Sequence, residues 1–122
     1  MRSEESVKRF FREHSKAFDR ADKRAAFLVG VLTKRLLDKQ LATRNSAPFR
    51  SKLYGLKLDE GRLRKIFSEA IEKLAEYNVS YLELQSLTSK VLIEAENEGW
   101  NLSKDELSYY FALGLNLGGI FK

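Results

Sequence analysis

The chain has 122 residues, no Cys and one Pro, and a formal net charge of +5. This length indicates one domain with a sizeable core, and the absence of Cys excludes disulfides and thiol chemistry. The hydrophobic content of 43% argues against disorder, and the first residues lack the long apolar run of a signal peptide, so we expect a cytoplasmic protein.

The charge is unevenly distributed along the chain. Residues 1–65 hold 18 Lys and Arg against 8 Asp and Glu, which gives a net charge of +10. Residues 66–122 hold 4 against 9, which gives −5. This asymmetry indicates a first half that faces a polyanion and a second half that faces solvent or protein. The alternative interpretation is a surface kept soluble by mixed charge.

An N-terminal helix is predicted within residues 1–19, where apolar residues recur at helical spacing. The central helix is predicted over Ala21–Leu41, with a middle that is apolar on almost every side and ends that are basic. Gly30 lies in this middle, where glycine costs about 1 kcal/mol relative to alanine unless another helix approaches closely. The segment around Gly114 has a similar Phe-x-x-Gly pattern, so the two helices could cross at their glycines, although five similar residues can also arise by chance.

The predicted basic loop covers residues 44–58 and contains turn-forming residues, several cations and no acid. Its rings, Phe49 and Tyr54, are interleaved with the cations, a pattern typical of single-stranded nucleic-acid binding. A second interpretation is that Phe49, Leu53 and Leu56 hold the loop against the core. We expect both to apply, with the cations binding nucleic acid and the rings having mainly a structural role.

Three further helices are predicted after the loop. Asp59 is expected to cap the third helix, Ser80 to begin a capping box for the fourth, and Ser103 to begin a second box for the last. Every long periodic segment has a period of 3.6, so the expected fold is all-α, a single-domain bundle of about five to six helices over residues 1–122. Ile120 and Phe121 follow two glycines and are expected to form an exposed apolar end that docks on a neighbouring subunit.

No catalytic set is recognisable in the sequence. His14 is the single histidine and lies on the apolar side of the first helix, so a structural role is favoured over metal ligation. Glu94 and Glu98 share a helix face, which is more typical of a solvated surface than of a metal site. No glycine-rich phosphate loop is present. We therefore expect no catalytic residue, no metal and no cofactor.

The candidate nucleic-acid-binding residues are cations that flank the buried middle of the central helix or follow it on the loop. They are Lys23, Arg24, Lys34, Arg35, Lys39, Arg44, Arg50 and Lys52. Lys23 and Lys34 are eleven residues apart, which is about 16 Å along one side of a helix. Side chains at that separation can reach different phosphates of one strand.

Four features together resemble a known family: FLVGVL in the central helix, the basic Pro-containing loop, two middle helices, and SYYFALGLNLGG near the end. They are similar to the C-terminal helical domain of the large subunit of type I-B CRISPR Cascade, over about Ala26 to Gly118. In that family the domain also occurs as a separate small subunit, translated from a start inside the large-subunit gene. A separate subunit and a domain cut from a longer chain would look alike.

This resemblance implies a non-catalytic role in an RNA-guided complex. The implied partners are guide RNA, single-stranded or R-loop DNA, the Cascade large and backbone subunits, and further copies of the chain, but no membrane. Base pairing reads the target sequence in such complexes, and the protein supplies shape and positive charge. Two alternatives remain: a helical protein–protein adaptor, which should bind little single-stranded DNA at low salt, and a DNA-binding regulator, which should prefer duplex of a specific sequence.

Overall fold

The computed structural model describes residues 3–44, 49, 58–77 and 81–121. The described part contains five helices and no strand, which confirms the prediction of an all-α bundle. The helices are α1 (Ser3–Glu13), α2 (Ala21–Arg44), α3 (Glu60–Glu76), α4 (Leu82–Glu98) and α5 (Lys104–Leu117), and a 3-10 turn over Gly118–Ile120 follows α5. None of these helices is long and apolar enough to cross a membrane.

The N-terminal segment is helical only as far as Glu13, and residues 14–18 form a turn. The backbone N–H groups of Ala17 and Phe18 both donate to the carbonyl oxygen of His14, at 3.1 Å each. This turn places the Phe18 ring 5.6 Å from that of Phe10 and 5.1 Å from that of Phe11, measured between centroids. The turn thus brings Phe18 back onto α1, where its ring is buried.

Helix α2 is the centre of the bundle and packs against α3, α4 and α5. All residues from Ala25 to Thr33 are buried, which confirms the predicted apolar middle. Only the second end of the helix emerges, with Leu41 exposed, whereas Ala21 and Asp22 at its beginning are buried. Thr33 is the polar member of the buried middle, and its hydroxyl donates to the Val29 carbonyl oxygen at 2.7 Å.

Helices α2 and α5 run parallel and touch at their glycines. A Cβ atom built on Gly30 would collide with the carbonyl oxygen of Phe111 and lie 3.0 Å from the Cα of Gly114. A Cβ on Gly114 would in turn collide with the carbonyl oxygen of Phe27. One turn further along both helices, a Cβ on Gly118 would lie 3.0 Å from the Cβ of Lys34. The predicted crossing of Gly30 and Gly114 is therefore confirmed.

The end of the chain does not form the exposed apolar tail that the sequence suggested. Phe121 is 3% exposed, and its ring lies 5.4 Å from that of Phe10 and 5.9 Å from that of Phe27. Ile120, by contrast, is 64% exposed. The 3-10 turn after α5 directs Phe121 back into the aromatic cluster, and its N–H donates to the Gly118 carbonyl oxygen at 3.4 Å.

Local capping chemistry fixes the ends of the later helices. The Asp59 carboxylate accepts a hydrogen bond from the backbone N–H of Arg62 at 2.8 Å and caps α3. Ser103 and Glu106 form the predicted capping box of α5. Tyr81 precedes α4 and makes no side-chain cap, and Ser80, the cap expected from the sequence, lies outside the described residues.

Candidate nucleic-acid interface

The predicted cations of α2 lie at the two ends of its buried middle. Lys23 and Arg24 precede this middle, Lys34 and Arg35 follow it, and all four side chains are half-buried. Lys39, near the end of α2, is also half-buried. Arg50, Lys52 and the side chain of Arg44 lie outside the described part of the chain.

These four cations form two rows rather than one. Lys23 stands over the Tyr110 ring and Lys34 packs against Gly118, so both lie on the side of α2 that contacts α5. Arg24 lies 3.8 Å from the Glu94 carboxylate, within α4. The Arg35 guanidinium stands 5.5 Å from the centroid of the Tyr81 ring, next to the start of α4. The lysine row therefore follows α5, and the arginine row follows α4.

Lys23 is held in place by two contacts. Its ammonium donates to the Asp19 carboxylate at 2.8 Å and lies 5.9 Å from the centroid of the Tyr110 ring. The hydrogen bond with Asp19 raises the pKa of Lys23 above its usual value and lowers the pKa of Asp19 below its own. Both groups are therefore fully charged at neutral pH, and a phosphate that binds Lys23 must compete with Asp19.

Lys34 has a similar arrangement at the other end of the lysine row. Its ammonium lies 3.0 Å from the Asp38 carboxylate, one turn further along α2. Both acids of the row are substantially exposed, Asp19 at 57% and Asp38 at 48% of their side-chain surface. Exposed ion pairs contribute only about 0–1 kcal/mol, so an incoming phosphate can displace these carboxylates.

Arg24 has a structural task in addition to its charge. Its guanidinium donates to the Phe18 carbonyl oxygen at 2.7 Å, which fastens the turn after α1 to the beginning of α2. Arginine suits this position because its planar group can donate to several acceptors at once. A phosphate that approached Arg24 would therefore compete with a backbone contact of the fold.

Sequence reasoning did not identify an exposed aromatic side chain beside the lysine row. Tyr109 on α5 is 60% exposed, and its ring lies 5.1 Å from that of Tyr110. The sequence of this helix is apolar and contains glycines, and it does not mark Tyr109 as different from its neighbours. A helical period drawn through the buried Phe111 and Gly114 would have placed Tyr109 on the opposite, outward side.

The outward face of α4 is the second notable surface. Its residues follow each other at helical spacing with apolar side chains at both ends: Leu82, Ser86, Ser89, Lys90 and Ile93. Leu82 and Ile93 are among the large exposed hydrophobic residues. Open cavities of about 600 Å³ and about 320 Å³ separate this face from α3 and α1, respectively.

Within the described residues, no group of three or more His, Asp or Glu side chains could hold a metal ion. His14 is exposed, although the sequence placed it on the apolar side of the first helix, and its ring packs 4.5 Å from that of Phe10. Phe49 is buried, and its backbone N–H donates to the Gln40 side chain at 3.1 Å. The structural role that the sequence favoured for Phe49 is thus confirmed.

Comparison with known proteins identifies one family. The sequence model described as CRISPR-associated protein TM1802 (cas_TM1802) C-terminal domain matches residues 1–122. No curated protein and no solved structure matches the chain. The match agrees with the resemblance to a CRISPR-associated helical domain that the sequence motifs indicated. The chain belongs to the family of CRISPR-associated TM1802 C-terminal domains and has a CRISPR-related role.

Proposed function

We propose that this domain acts as a non-catalytic small subunit of an RNA-guided surveillance complex of the type I-B Cascade class. In this role it binds the backbone of guide RNA or of the displaced DNA strand without reading its sequence, and thereby stabilises the R-loop. Membership of a CRISPR-associated family supports the proposal that the domain works in a CRISPR complex. The observation that carries the binding mode is the lysine row, Lys23 and Lys34, on one side of α2.

The lysine row suits a flexible single strand. Its two lysines project from one rigid helix at positions about 16 Å apart by helical rise, so their ammonium groups can contact different phosphates. Each is paired with an exposed carboxylate that contributes little to stability. Binding would exchange these weak pairs for phosphate contacts and release the counterions of the strand, which is the main source of affinity in sequence-independent binding.

The remaining predicted cations extend this surface in the proposal. Arg24 and Arg35 lie along the α4 side of α2. Lys39 and Arg44 follow on the same helix, and Arg50 and Lys52 belong to the loop predicted from the sequence. We assign the arginine row a secondary part, because Arg24 is already engaged with the Phe18 carbonyl oxygen and with Glu94. The lysine row should therefore dominate the salt dependence of binding.

The test is a salt titration of binding to single-stranded DNA of mixed sequence. The double variant Lys23→Ala, Lys34→Ala should bind all sequences more weakly and flatten the slope of log affinity against log salt by about one unit. A matched control, Lys73→Ala with Lys104→Ala, removes the same charge from the acidic half and should change the slope little. Equal losses of affinity in both double variants would refute the proposal that the lysine row binds the strand.

The outward face of α4 supports a protein partner in the same complex. We propose that it receives a second copy of the chain, because its residue order is self-complementary. In an antiparallel pairing of two α4 helices centred between Ser86 and Ser89, Leu82 of one copy meets Ile93 of the other. Glu83 of each copy then comes near Lys90 of the other, as an isologous contact requires. The small serine side chains allow the two helices to approach closely.

The adaptor alternative rests on this same face, since an exposed apolar surface is also what a protein–protein adaptor needs. Two measurements separate the candidates. An adaptor should show no salt-dependent affinity for single-stranded DNA, and a regulator should prefer duplex of one sequence. Purification of the tagged protein from its native host should recover guide RNA, the large subunit and the backbone subunits if the surveillance-complex proposal is correct.

A further inference from the structure

We propose that Tyr109 is a stacking platform for an unpaired base and makes the surface selective for single strands. The inference rests on the proposed function, since it assigns the base contact that accompanies the phosphate contacts of the lysine row. Tyr109 is 60% exposed although it stands in the middle of a well-packed pair of helices. Its ring is also close to Lys23, through the intervening ring of Tyr110.

The Tyr109 ring packs against Tyr110, whose position is supported by a hydrogen bond and by a second ring. Tyr110 meets Tyr109 edge to face, with an angle of 82° between the ring planes and 5.1 Å between centroids. The Tyr110 hydroxyl donates to the Ala17 carbonyl oxygen at 3.2 Å, and its ring packs edge to face on the buried Phe18 at 5.6 Å. Tyr109 therefore needs little further ordering when a base stacks on it, which favours binding.

Charge near the platform is arranged to hold the adjacent phosphate. Lys23 stands 5.9 Å above the Tyr110 ring, and the hydrogen bond with Asp19 keeps it oriented. A strand whose base lies on Tyr109 can therefore place a neighbouring phosphate at Lys23 after displacing Asp19. Base and phosphate would be contacted by two elements, α5 and α2, whose relative position is fixed by the glycine crossing.

The exposed side of α5 carries no charge beyond the platform. Ala112 and Asn116 follow Tyr109 on that side of the helix. Lys34 lies beside Gly118, which is buried against α2 on the side of α5 opposite to Tyr109. The phosphate contact that accompanies stacking on Tyr109 is therefore assigned to Lys23.

Stacking requires an unpaired base and is largely independent of which base is present. The experiment compares wild type, Tyr109→Ala and Tyr109→Phe on an oligothymidylate and on an abasic strand of the same length. Tyr109→Ala should weaken binding to oligothymidylate about tenfold, because aromatic stacking is of that order, and Tyr109→Phe should retain most of the affinity. On the abasic strand all three proteins should bind alike.

The salt slope provides a second readout. Tyr109 neutralises no phosphate, so Tyr109→Ala should leave the slope unchanged, whereas Lys23→Ala should flatten it. If wild type binds oligothymidylate and Tyr109→Ala binds equally well, the stacking platform is refuted and the proposed function stands. If Tyr109→Ala loses as much affinity on the abasic strand, the ring does not contact a base. If wild type binds neither strand at low salt, the proposed function fails and the platform with it.

Discussion

Asp22 and Asn101 are separated by 79 positions in the sequence, and the buried carboxylate of Asp22 accepts a hydrogen bond from the Asn101 backbone N–H at 3.0 Å. The same carboxylate accepts from the backbone N–H of Lys23 at 2.9 Å and from the Arg20 guanidinium at 3.3 Å. Arg20 also donates to the Gly99 carbonyl oxygen at 2.9 Å. The beginning of α2 is thereby fastened to the connection between α4 and α5.

Replacement of Asp22 by Ala should destabilise the bundle by about 3 kcal/mol, because it leaves buried donors without their acceptor. Thermal unfolding should show a decrease in Tm on the order of 10 °C for a chain of this size. Asp38→Ala is the control, since it removes an exposed carboxylate that pairs with Lys34 on the same helix, and it should change the free energy of unfolding by about 0.5 kcal/mol or less. Equal losses in both variants would mean that the Asp22 contacts contribute nothing beyond a surface ion pair.

The glycine crossing predicts the effect of a single methyl group. Gly30→Ala and Gly114→Ala should each destabilise by roughly 1–3 kcal/mol or more, because the new Cβ would collide with a backbone carbonyl oxygen of the opposite helix. Gly119→Ala is the matched control, since no atom lies within 4 Å of the position of its Cβ. It should be neutral or stabilise by about 0.4–1 kcal/mol. Higher Tm values for the first two variants would contradict the close approach of α2 and α5.

The two apolar residues at the end of the chain should respond oppositely to truncation. Phe121→Ala should destabilise by about 3–5 kcal/mol, as expected for a buried ring removed from an aromatic cluster. Ile120→Ala, at an exposed position, should change stability by no more than about 0.5 kcal/mol. Chemical denaturation of both variants measures the difference. If Phe121→Ala is as stable as wild type, the ring is not part of the core and the prediction of an exposed docking tail is favoured instead.

Self-association through the outward face of α4 can be tested by exchanging charges. Glu83→Lys and Lys90→Glu should each weaken dimerisation, because each change places like charges opposite one another twice in a two-fold contact. The double exchange should restore it. Analytical ultracentrifugation at several concentrations measures the effect, and a double variant as weak as the single ones would exclude the antiparallel pairing.

Much of the fold could be predicted because it depends on local chemistry. The apolar middle of α2, the Asp59 cap and the Ser103 capping box are properties of short segments, and the structure has all three. The end of the chain could not be predicted in this way. Two glycines indicated a helix end correctly, but the return of Phe121 depends on its edge-to-face packing against the stacked rings of Phe10 and Phe27, residues far away in the sequence.

The candidate site shows the same division. The sequence identified Lys23 and Lys34 by their spacing, and that spacing is a property of one helix. It did not separate them from Arg24 and Arg35, because the position of α4 beside α2 depends on contacts between distant segments. Tyr109 could have been identified, because the predicted crossing at Gly114 places it on the outward side of α5.

The acids of the lysine row lead to a prediction of improved binding. Asp19→Asn together with Asp38→Asn should increase the affinity for single-stranded DNA, because Lys23 and Lys34 would no longer be neutralised by exposed carboxylates. Since each surface pair contributes about 0–1 kcal/mol, the gain should be up to roughly fivefold per site. Fluorescence anisotropy at constant salt measures it.

Protonation of Asp19 at low pH should also increase the affinity for single-stranded DNA, because it removes the charge that neutralises Lys23. Because Lys23 lowers the pKa of Asp19, the ion pair is fully present above the ordinary Asp range and is lost only as the pH falls through the lowered value. Between neutral pH and pH of about 5, wild-type affinity should therefore not change through Asp19. A rise in affinity within that interval would show that a group other than Asp19 controls Lys23.

The control for the paired acid variant must remove the same negative charge elsewhere. Glu13→Gln with Glu76→Gln meets this condition, because Glu13 pairs with Arg9 on α1 and Glu76 pairs with Lys73 on α3, both away from the lysine row. The two double variants have the same net charge, so a general electrostatic effect would raise their affinities equally. A gain confined to the variant of Asp19 and Asp38 would assign the effect to the lysine row, and equal gains would leave only the overall charge as the cause.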